Sequence, residues 1–369
     1  MNDLWSEHQL LELPSAIPLI GQRQGYNEIA LLDWASKSAM FEKPILRTIN
    51  FVNQNFSRVT VAIKSEESHL NGVSGCGRNQ DLTSALSKAY GECLERKVAY
   101  EAQNERDFSS HHQLEWNTSE ILIRPATKKA AMPPKKIRTT NGWAVHFNRD
   151  EAIRNALNEA IERHLLLLSY FKYGWSGFEI ADPIEWDGLR IFSMAARCSM
   201  PPFRAGLVAT KSKNLPGYTF GYFCDFDEHF SNSGKWIHAM MEAFEPAKYY
   251  EDKSPLNVKE KLSAVLDPMD RTQIKYLLDQ TDLTRLCYPN DGSQFLVYNS
   301  PTDIASNLAV VNVGARMKLG VEFYAAFVYG GALIPLVFKD HMDTESRGYV
   351  EQILSKHSIL EQPDVHPIL

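Results

Sequence analysis

The residues whose types and spacing point to chemistry form two copies of the pattern Glu-x-x-Glu-Arg. These six residues are Glu92, Glu95 and Arg96, and Glu159, Glu162 and Arg163. In an α-helix, residues three apart lie on neighbouring turns of one face, so each copy directs two carboxylates into one volume beside an arginine. Four carboxylates brought together would repel one another unless a cation shared the space. The spacing therefore favours a divalent metal site that serves a phosphate-bearing ligand.

A single copy of this pattern is more typical of a solvated helix face with intrahelical ion pairs. Here the pattern occurs twice, in segments predicted to be helical over about 82 to 105 and about 150 to 171. Each helix follows a segment predicted as a glycine turn, at 71–77 and at 140–143. The repetition indicates an internal duplication and favours a functional site over a solvated face.

The second helix places its polar residues beside its apolar side. At about 100° per residue, Asn155, Glu159, Glu162 and Arg163 fall within one stripe that borders the predicted core. Burying a carboxylate without a partner is costly, so either the arginine pairs with these acids or a ligand completes the site. One arginine cannot neutralise two carboxylates, and the stripe therefore favours a bound ligand.

A third helix is predicted to begin near Ser233. In all three helices a polar residue precedes a glutamate by one turn, and these pairs are Lys88 and Glu92, Asn155 and Glu159, and His238 and Glu242. The shared offset adds Glu242 and His238 to the candidate site.

The remaining segments read mostly as strands. The predictions are strands at 50–53 and 59–63, a hairpin of strands at 205–210 and 218–224, a helix at about 258–278, a strand-rich region at 295–338, and within it two buried strands joined by a turn at 321–338.

Composition is that of a soluble globular protein. The chain has 369 residues, of which 44% are hydrophobic and 23% charged, enough for a large core in one elaborate domain or two close-packed ones. The net charge of −6 gives no reason to expect a nucleic-acid partner. The five cysteines include no Cys-x-x-Cys pair, which excludes a zinc knuckle and a dithiol redox centre. With no signal-like amino terminus or membrane-span pattern, we expect a cytoplasmic protein with reduced thiols.

Together these motifs resemble the YcaO superfamily, ATP-dependent enzymes that activate backbone amides in ribosomally made peptides. The resemblance rests on four segments: Ser74-Gly75-Cys76-Gly77, Ala89 to Arg96, Asn141 to Val145, and Glu159 to His164. It implies an α+β fold of mixed and antiparallel sheets packed with helices, with the two duplicated helix motifs around a nucleotide site. It also implies one domain over 1–369, with a motif-bearing core at about 50–340 and a tail at about 355–369.

The resemblance further implies a nucleotide site without a Walker loop, in which acids of three helices hold Mg²⁺ against the triphosphate of ATP. Carried over by position, the magnesium ligands are Glu92, Glu95, Glu159, Glu162 and Glu242. The nucleotide-binding residues are Lys88, Asn155, Arg163, His238 and Arg96.

Two of these positions depart from the family pattern. Lys88 stands where a serine is common, and His238 stands where an arginine is common. Neither residue copies the usual geometry, although either can contact a phosphate when charged. No protein nucleophile is needed, so no catalytic residue is assigned.

The reaction implied by the resemblance is azoline formation by a cyclodehydratase. Thioamide or amidine formation is an alternative, as is a degenerate member that binds peptide or partner without turnover. The weakly proline-alternating end, 362–369, leaves the subtype open. We expect a ribosomal precursor peptide as substrate and a possible homo-oligomer, with no nucleic-acid or membrane partner. Because no winged-helix segment is recognisable, we also expect a partner protein that binds the leader peptide.

Overall fold

Helices and antiparallel sheets share the chain in the structure, a computed structural model. The residues it describes are 14–19, 28–64, 73–103, 112–117, 119–126, 133–134, 142–177, 184–214, 216–226, 234–251, 296–297, 304–313, 322–336 and 342–359. The helices are α1 (Glu28–Lys37), α2 (Leu82–Gln103), α3 (Arg149–Leu168), α4 (Gly234–Glu251) and α5 (Thr344–Lys356). A π-helical turn, Ser169–Tyr173, continues α3.

The strands fall into three sheets. They are β1 (Ala16–Pro18), β2 (Ile45–Phe51), β3 (Gln54–Ala62), β4 (Ser74–Asn79), β5 (His112–Trp116), β6 (Glu120–Pro125), β7 (Trp143–His146), β8 (Trp175–Gly177), β9 (Ile184–Trp186), β10 (Leu189–Met200), β11 (Phe203–Ser212), β12 (Tyr218–Phe226), β13 (Leu296–Val297), β14 (Asn307–Asn312) and β15 (Tyr324–Tyr329). Among the described strands every pairing is antiparallel except that of β10 with β13. The predicted α+β class is confirmed.

The chain divides into two compact units. Unit 1 comprises Met1–Ala160 and Thr302–Leu333, and unit 2 comprises Ile161–Pro301 and Ile334–Leu369. The boundary falls within α3, which therefore contributes residues to both. The expectation of one domain over 1–369 stays a prediction.

Unit 1 contains two sheets. The larger has the order β1-β6-β5-β14-β15-β7, and the smaller has the order β2-β3-β4. Helix α2 packs on β4 and β3, so that apolar residues of β3, α2, β7 and β15 share one core, with Val59, Leu94, Trp143 and Phe327 among its members. This core fixes the position of the first Glu-x-x-Glu-Arg motif.

Unit 2 is built on the sheet β12-β11-β10-β13, with β8 and β9 also paired to β10. Helix α4 packs on β12 and β11. Most residues of β11 and β12 are buried in succession, not alternately, which is typical of strands covered on both faces. The predicted hairpin of 205–210 and 218–224 is confirmed as β11 and β12.

The helix predictions from periodicity agree with α2, α3 and α4. Helix α4 continues through Pro246 to Glu251. The predicted helix at 258–278, Ser233 and the tail at 360–369 lie outside the described residues. No described helix combines the length and apolar character that a membrane crossing needs.

Three local predictions were wrong. The strand predicted at 50–53 ends at Phe51, because Val52 and Asn53 form the turn between β2 and β3. Residues 74–77 form part of strand β4, not a turn, because Gly75 and Gly77 accommodate a helix that packs on them. The segment 321–338 contains one described strand, β15, followed by a turn at Gly330 and Gly331, not two strands. The N–H groups of Ala332 and Leu333 both donate to the carbonyl of Ile304, which ends the extended pairing there. The second predicted turn retains Gly142 at φ 74°, while Asn141 is not described.

Candidate metal and nucleotide site

Close packing of α2 on β4 positions the first acidic motif. A Cβ added at Gly75 would lie 2.2 Å from the carbonyl oxygen of Ala89, and one added at Gly77 would lie 1.8 Å from that of Ala85. Real Cβ atoms do not approach backbone this closely, so only glycine allows the helix to lie at this distance. The acid Glu92 follows Ala89 by three residues and therefore reaches the strand.

Glu92 and Arg96 together bind the outer edge of β4. The carboxylate of Glu92 accepts a hydrogen bond from the N–H of Cys76 through Oε2 at 2.6 Å, and one from Arg96 Nη2 through Oε1 at 2.6 Å. Arg96 also donates through Nη1 to the carbonyl of Ser74 at 3.0 Å. Arg96 thus holds the Glu92 carboxylate against the strand. Its expected contact with nucleotide stays a prediction.

Glu95 places a second carboxyl group in the same neighbourhood. Burial raises the pKa of Glu95 well above its usual range, and the charges of Glu159 and Glu92 raise it further. The guanidinium of Arg96 and a hydrogen bond from the backbone of Val145 oppose this rise in pKa. Carboxyl groups of α2 and α3 therefore lie close enough to repel one another electrostatically in unit 1.

The polar residues one turn earlier are solvent-facing. Lys88 precedes Glu92 on α2 and Asn155 precedes Glu159 on α3, and both are exposed. Lys88 also makes contacts within the chain. Exposure of both side chains is compatible with contact to a ligand from solvent.

The second half of α3 contributes to unit 2. The carboxylate of Glu162 and Arg163 Nη1 are 4.0 Å apart, the outer limit of an ion pair, and both side chains are largely buried. Burial raises the pKa of the Cys224 thiol on β12, and the charge of Glu162 raises it further. Glu162 therefore lies close enough to β12 to act electrostatically on it.

Helix α4 packs on β12 by the same means that α2 uses on β4. A Cβ added at Gly221 would lie 1.9 Å from the carbonyl oxygen of Ala239. Lys235 donates to the carbonyl of Cys224 at 2.7 Å. His238 and Glu242 are half-buried, and each makes contacts within the chain.

The structure adds one residue type that the sequence reasoning missed. In each of the three helices an alanine follows the polar residue and precedes the glutamate by three positions, and these residues are Ala89, Ala156 and Ala239. All three are fully buried. The repeated pattern of polar residue, Ala, x, x, Glu was visible in the sequence, and its alanine is what lets α2 and α4 lie against strand glycines.

The donor chemistry of unit 1 fits a hard divalent cation. Carboxylate oxygens are the ligands that Mg²⁺ prefers, and bound positive charge would offset the repulsion by Glu159 and Glu92 that raises the pKa of Glu95. Within the described ranges no group of three or more His, Cys, Asp or Glu is arranged closely enough to hold a metal. Mg²⁺ is usually held by one or two carboxylates together with water and substrate phosphates, so a closed protein cage is not required. The meeting of acids from all three helices stays a prediction.

Comparison with known proteins identifies similar structures only. No protein-family model and no curated protein sequence matches the chain. A heterocyclase in complex with substrate and cofactor has 11% identity over 90% of this chain and 58% of its own, with a TM-score of 0.50. YcaO from Methanopyrus kandleri, bound with AMPPCP and Mg²⁺, has 11% identity over 95% and 99%, with a TM-score of 0.49. The E. coli microcin synthetase McbBCD complex has 14% identity over 89% and 95%, with a TM-score of 0.48.

Identities this low bear on the fold alone. The chain spans 58% of the heterocyclase that it matches. The chain shares the fold of that heterocyclase, and the resemblance inferred from the two Glu-x-x-Glu-Arg motifs is confirmed at the level of fold.

Proposed function

We propose that this chain activates peptide backbone amides in an ATP- and Mg²⁺-dependent reaction on a ribosomally made peptide. The observation that carries the proposal is the shared environment of Glu92, Glu95 and Glu159, where burial and mutual repulsion raise the pKa of Glu95. A bound cation would stabilise the charged forms of these carboxylates. The shared fold supports the same assignment.

In this proposal the chain's own residues bind and orient the nucleotide. Arg96 holds the Glu92 carboxylate at the edge of β4, where it is pre-positioned for a cation. Lys88 is exposed one helical turn earlier, and as a point charge it can contact a phosphate oxygen. Bound Mg²⁺ supplies charge neutralisation along the triphosphate. Glu162 and Glu242 stay predicted metal ligands.

The reaction class we favour is azoline formation. A Cys, Ser or Thr side chain of the substrate adds to the preceding carbonyl, and the resulting oxyanion receives the γ-phosphoryl group of ATP. Elimination of phosphate then completes the loss of water. Thioamide formation differs only in its nucleophile, an external sulfide, and stays an alternative, as does amidine formation. A leader-peptide-binding protein is the proposed partner.

The first test is calorimetric titration of the full chain with ATP, with and without Mg²⁺. We expect Mg²⁺-dependent binding that weakens at least tenfold in Glu92→Gln and in Glu159→Gln, because each removes a negative charge from the cation site. Glu185→Gln is the matched control, since Glu185 pairs with Arg190 on an exposed surface of unit 2. Equal affinity in all four proteins would exclude these acids from nucleotide binding.

A second test separates the reaction classes. The chain is incubated with ATP, Mg²⁺, its partner protein and a precursor peptide containing Cys, Ser and Thr, and the peptide mass is measured. Loss of water identifies azoline formation, and replacement of oxygen by sulfur in the presence of sulfide identifies thioamide formation. ATP binding without ATP hydrolysis or a change in peptide mass would instead support the alternative of a degenerate, non-catalytic member. The departures from the family pattern at Lys88 and His238 favour that alternative.

A further inference from the structure

The two edges of the sheet β2-β3-β4 differ. The outer edge of β4 is covered by its own helix, since Glu92 accepts from the N–H of Cys76 and Arg96 donates to the carbonyl of Ser74. The outer edge of β2 pairs with no strand in the part of the chain that the structure describes. An uncovered edge presents a row of backbone donors and acceptors on which another strand can pair.

The register identifies the backbone groups that face this open edge. Strands β2 and β3 are joined by a two-residue turn, Val52 and Asn53, both with positive φ, so that Phe51 and Gln54 close the hairpin as a hydrogen-bonded pair. Hydrogen-bonded and non-hydrogen-bonded pairs alternate along an antiparallel ladder. The N–H and C=O groups of residues 46, 48 and 50 therefore point away from β3.

Large apolar side chains flank the same edge. Ile45 is 59% exposed and Leu46 is 53% exposed. As neighbours in a strand they point to opposite faces of the sheet, so both sides of the edge are apolar. Exposed apolar residues on an unpaired edge are typical of surfaces that receive a partner strand.

A row of arginines crosses the sheet and ends at this edge. Arg47, Arg58 and Arg78 are direct cross-strand partners and so lie on one face. Like charges in such positions are destabilising, which makes a purely structural role a poor explanation for three of them. Arg58 and Arg78 make contacts within the chain, whereas Arg47 is exposed at the edge itself. Arg47 gives the open edge an exposed positive charge in a chain whose net charge is −6.

We propose that the outer edge of β2 binds an extended acidic peptide segment of another molecule as an added strand. Its backbone pairs with residues 46, 48 and 50, as in other strand-addition interfaces. Carboxylates on one face of the added strand meet Arg47, and apolar side chains on its other face pack on Leu46. The complementary sequence is an alternation of acidic and apolar residues. This surface lies outside the proposed nucleotide chemistry and does not depend on it.

The test measures anisotropy of a fluorescein-labelled peptide of alternating Glu and Val, titrated with the full chain in the absence of ATP and Mg²⁺. Proline is tolerated on an edge strand where its nitrogen faces solvent, so Thr48→Pro removes one outward N–H while keeping the ladder with β3. We expect at least tenfold weaker binding by Thr48→Pro than by Thr48→Val, which keeps that N–H. Arg47→Glu leaves the backbone intact, and its affinity should also fall at least tenfold. Circular dichroism and thermal unfolding verify that all variants fold.

Four results would overturn the proposal. They are no saturable binding by the unsubstituted chain, equal affinity of the Thr48→Pro and Thr48→Val variants, equal binding of a peptide that alternates Lys and Val, and self-association of the chain that Thr48→Pro abolishes. The last would assign the edge to a second copy of this chain. Because no nucleotide is present, failure here leaves the proposed ATP site untouched, and loss of the ATP site leaves this interaction testable.

Discussion

Helix α2 packs on strand β4, and helix α4 packs on strand β12. The two pairs share a packing device, a strand glycine under a helix alanine, but differ in the charged side chain that contacts the strand backbone. In both, a strand glycine lies under a helix alanine, as Gly75 does under Ala89 and Gly221 under Ala239. In both, a glutamate follows the alanine by three residues. The device fixes the separation of helix and strand in each unit.

The difference lies in which side chain contacts the strand. On α2 the acid itself does so, because Glu92 accepts from the N–H of Cys76 and pairs with Arg96. On α4 the contact is made by Lys235, which donates to the carbonyl of Cys224. The comparison teaches that glycine and alanine set the separation of helix and strand in both pairs, while a different charged side chain contacts the strand backbone in each.

The largest effect should come from removing the shared device. Gly77→Ala and Gly221→Ala each force a Cβ against helix backbone, so each should destabilise the chain by about 3 kcal/mol, measured by urea unfolding. Gly348→Ala is the control, since no atom lies within 4 Å of its added Cβ. There, in the interior of α5, alanine should stabilise by about 0.5–1 kcal/mol. If Gly77→Ala lowers the free energy of unfolding and Gly221→Ala leaves it unchanged, the two pairs do not share the packing device.

Double-mutant cycles should distinguish the charged contacts of the two helix–strand pairs. Arg96→Ala and Glu92→Gln should be non-additive in the Mg²⁺-dependent affinity for ATP, with a coupling of about 1 kcal/mol, because Arg96 acts by holding Glu92. Lys235→Ala and Glu242→Gln should be additive, since Lys235 donates to the strand backbone and the two residues are seven positions, about 10 Å, apart along α4. Calorimetric titration measures both cycles. Additivity of the first pair would mean that Arg96 acts independently of Glu92, as a direct contact to nucleotide would.

Unit 2 should show a pH dependence of its own through His164. This imidazole is fully buried, accepts a hydrogen bond from the N–H of Ile334 and faces the ring of His357, and burial with that neighbour holds its pKa well below the usual range. Below the ordinary pKa of 6.5 the unfolded chain binds a proton that the folded chain does not, so stability falls as pH falls. The slope should approach about 1.4 kcal/mol per pH unit.

Thermal unfolding between pH 8 and pH 5 checks this expectation. The variant His164→Asn keeps an acceptor for Ile334 but does not titrate, so its melting temperature should depend less on pH. At neutral pH its melting temperature should be lower, because the ring contact with His357 is lost. Parallel curves for the two proteins would contradict the assignment to His164.

A smaller pH-linked effect than that of His164 should come from Glu95 in unit 1. Because its pKa is raised in the folded state, its contribution to stability is present below the ordinary value of 4.5 and is lost as pH rises through the raised pKa. At neutral pH Glu95→Gln should therefore raise stability by about 1 kcal/mol without Mg²⁺. Differential scanning calorimetry should also show that Mg²⁺ stabilises the variant less than the unsubstituted chain. A destabilised variant would mean that the Glu95 carboxylate is already neutralised within the chain.

Periodicity was enough to predict the three site-bearing helices, and strand-like composition on both sides of a polar turn predicted the hairpin of β11 and β12. Long amphipathic segments carry their own signal, because every turn of α2, α3 and α4 repeats the same division of apolar and polar residues. Glycine content gave the wrong prediction at β4, because residues such as Gly75 and Gly77 are common in turns. Their role depends on a helix backbone that lies against them, and this contact leaves no local pattern.

The carboxyl-terminal region shows the same limit. The apolar content of 321–338 predicted two strands, but the pairing of Ala332 and Leu333 with Ile304 ends the ladder after β15. A hydrogen bond between residues so far apart in the chain cannot be seen in local composition. Spacing alone indicated the acids. Their proximity in unit 1 depends on the fold and is seen in the pKa of Glu95, which the charges of Glu159 and Glu92 raise.

The sequence by itself determined which residues are available for chemistry and on which helix faces they lie, since helical geometry follows from spacing. Tertiary structure decided which residues of different elements are neighbours, that Glu92 and Arg96 bind the backbone of β4, and that glycines form a strand surface instead of a turn. The physical reason is that spacing acts within one element, whereas hydrogen-bond register and the approach of backbones depend on segments that meet only when the chain folds.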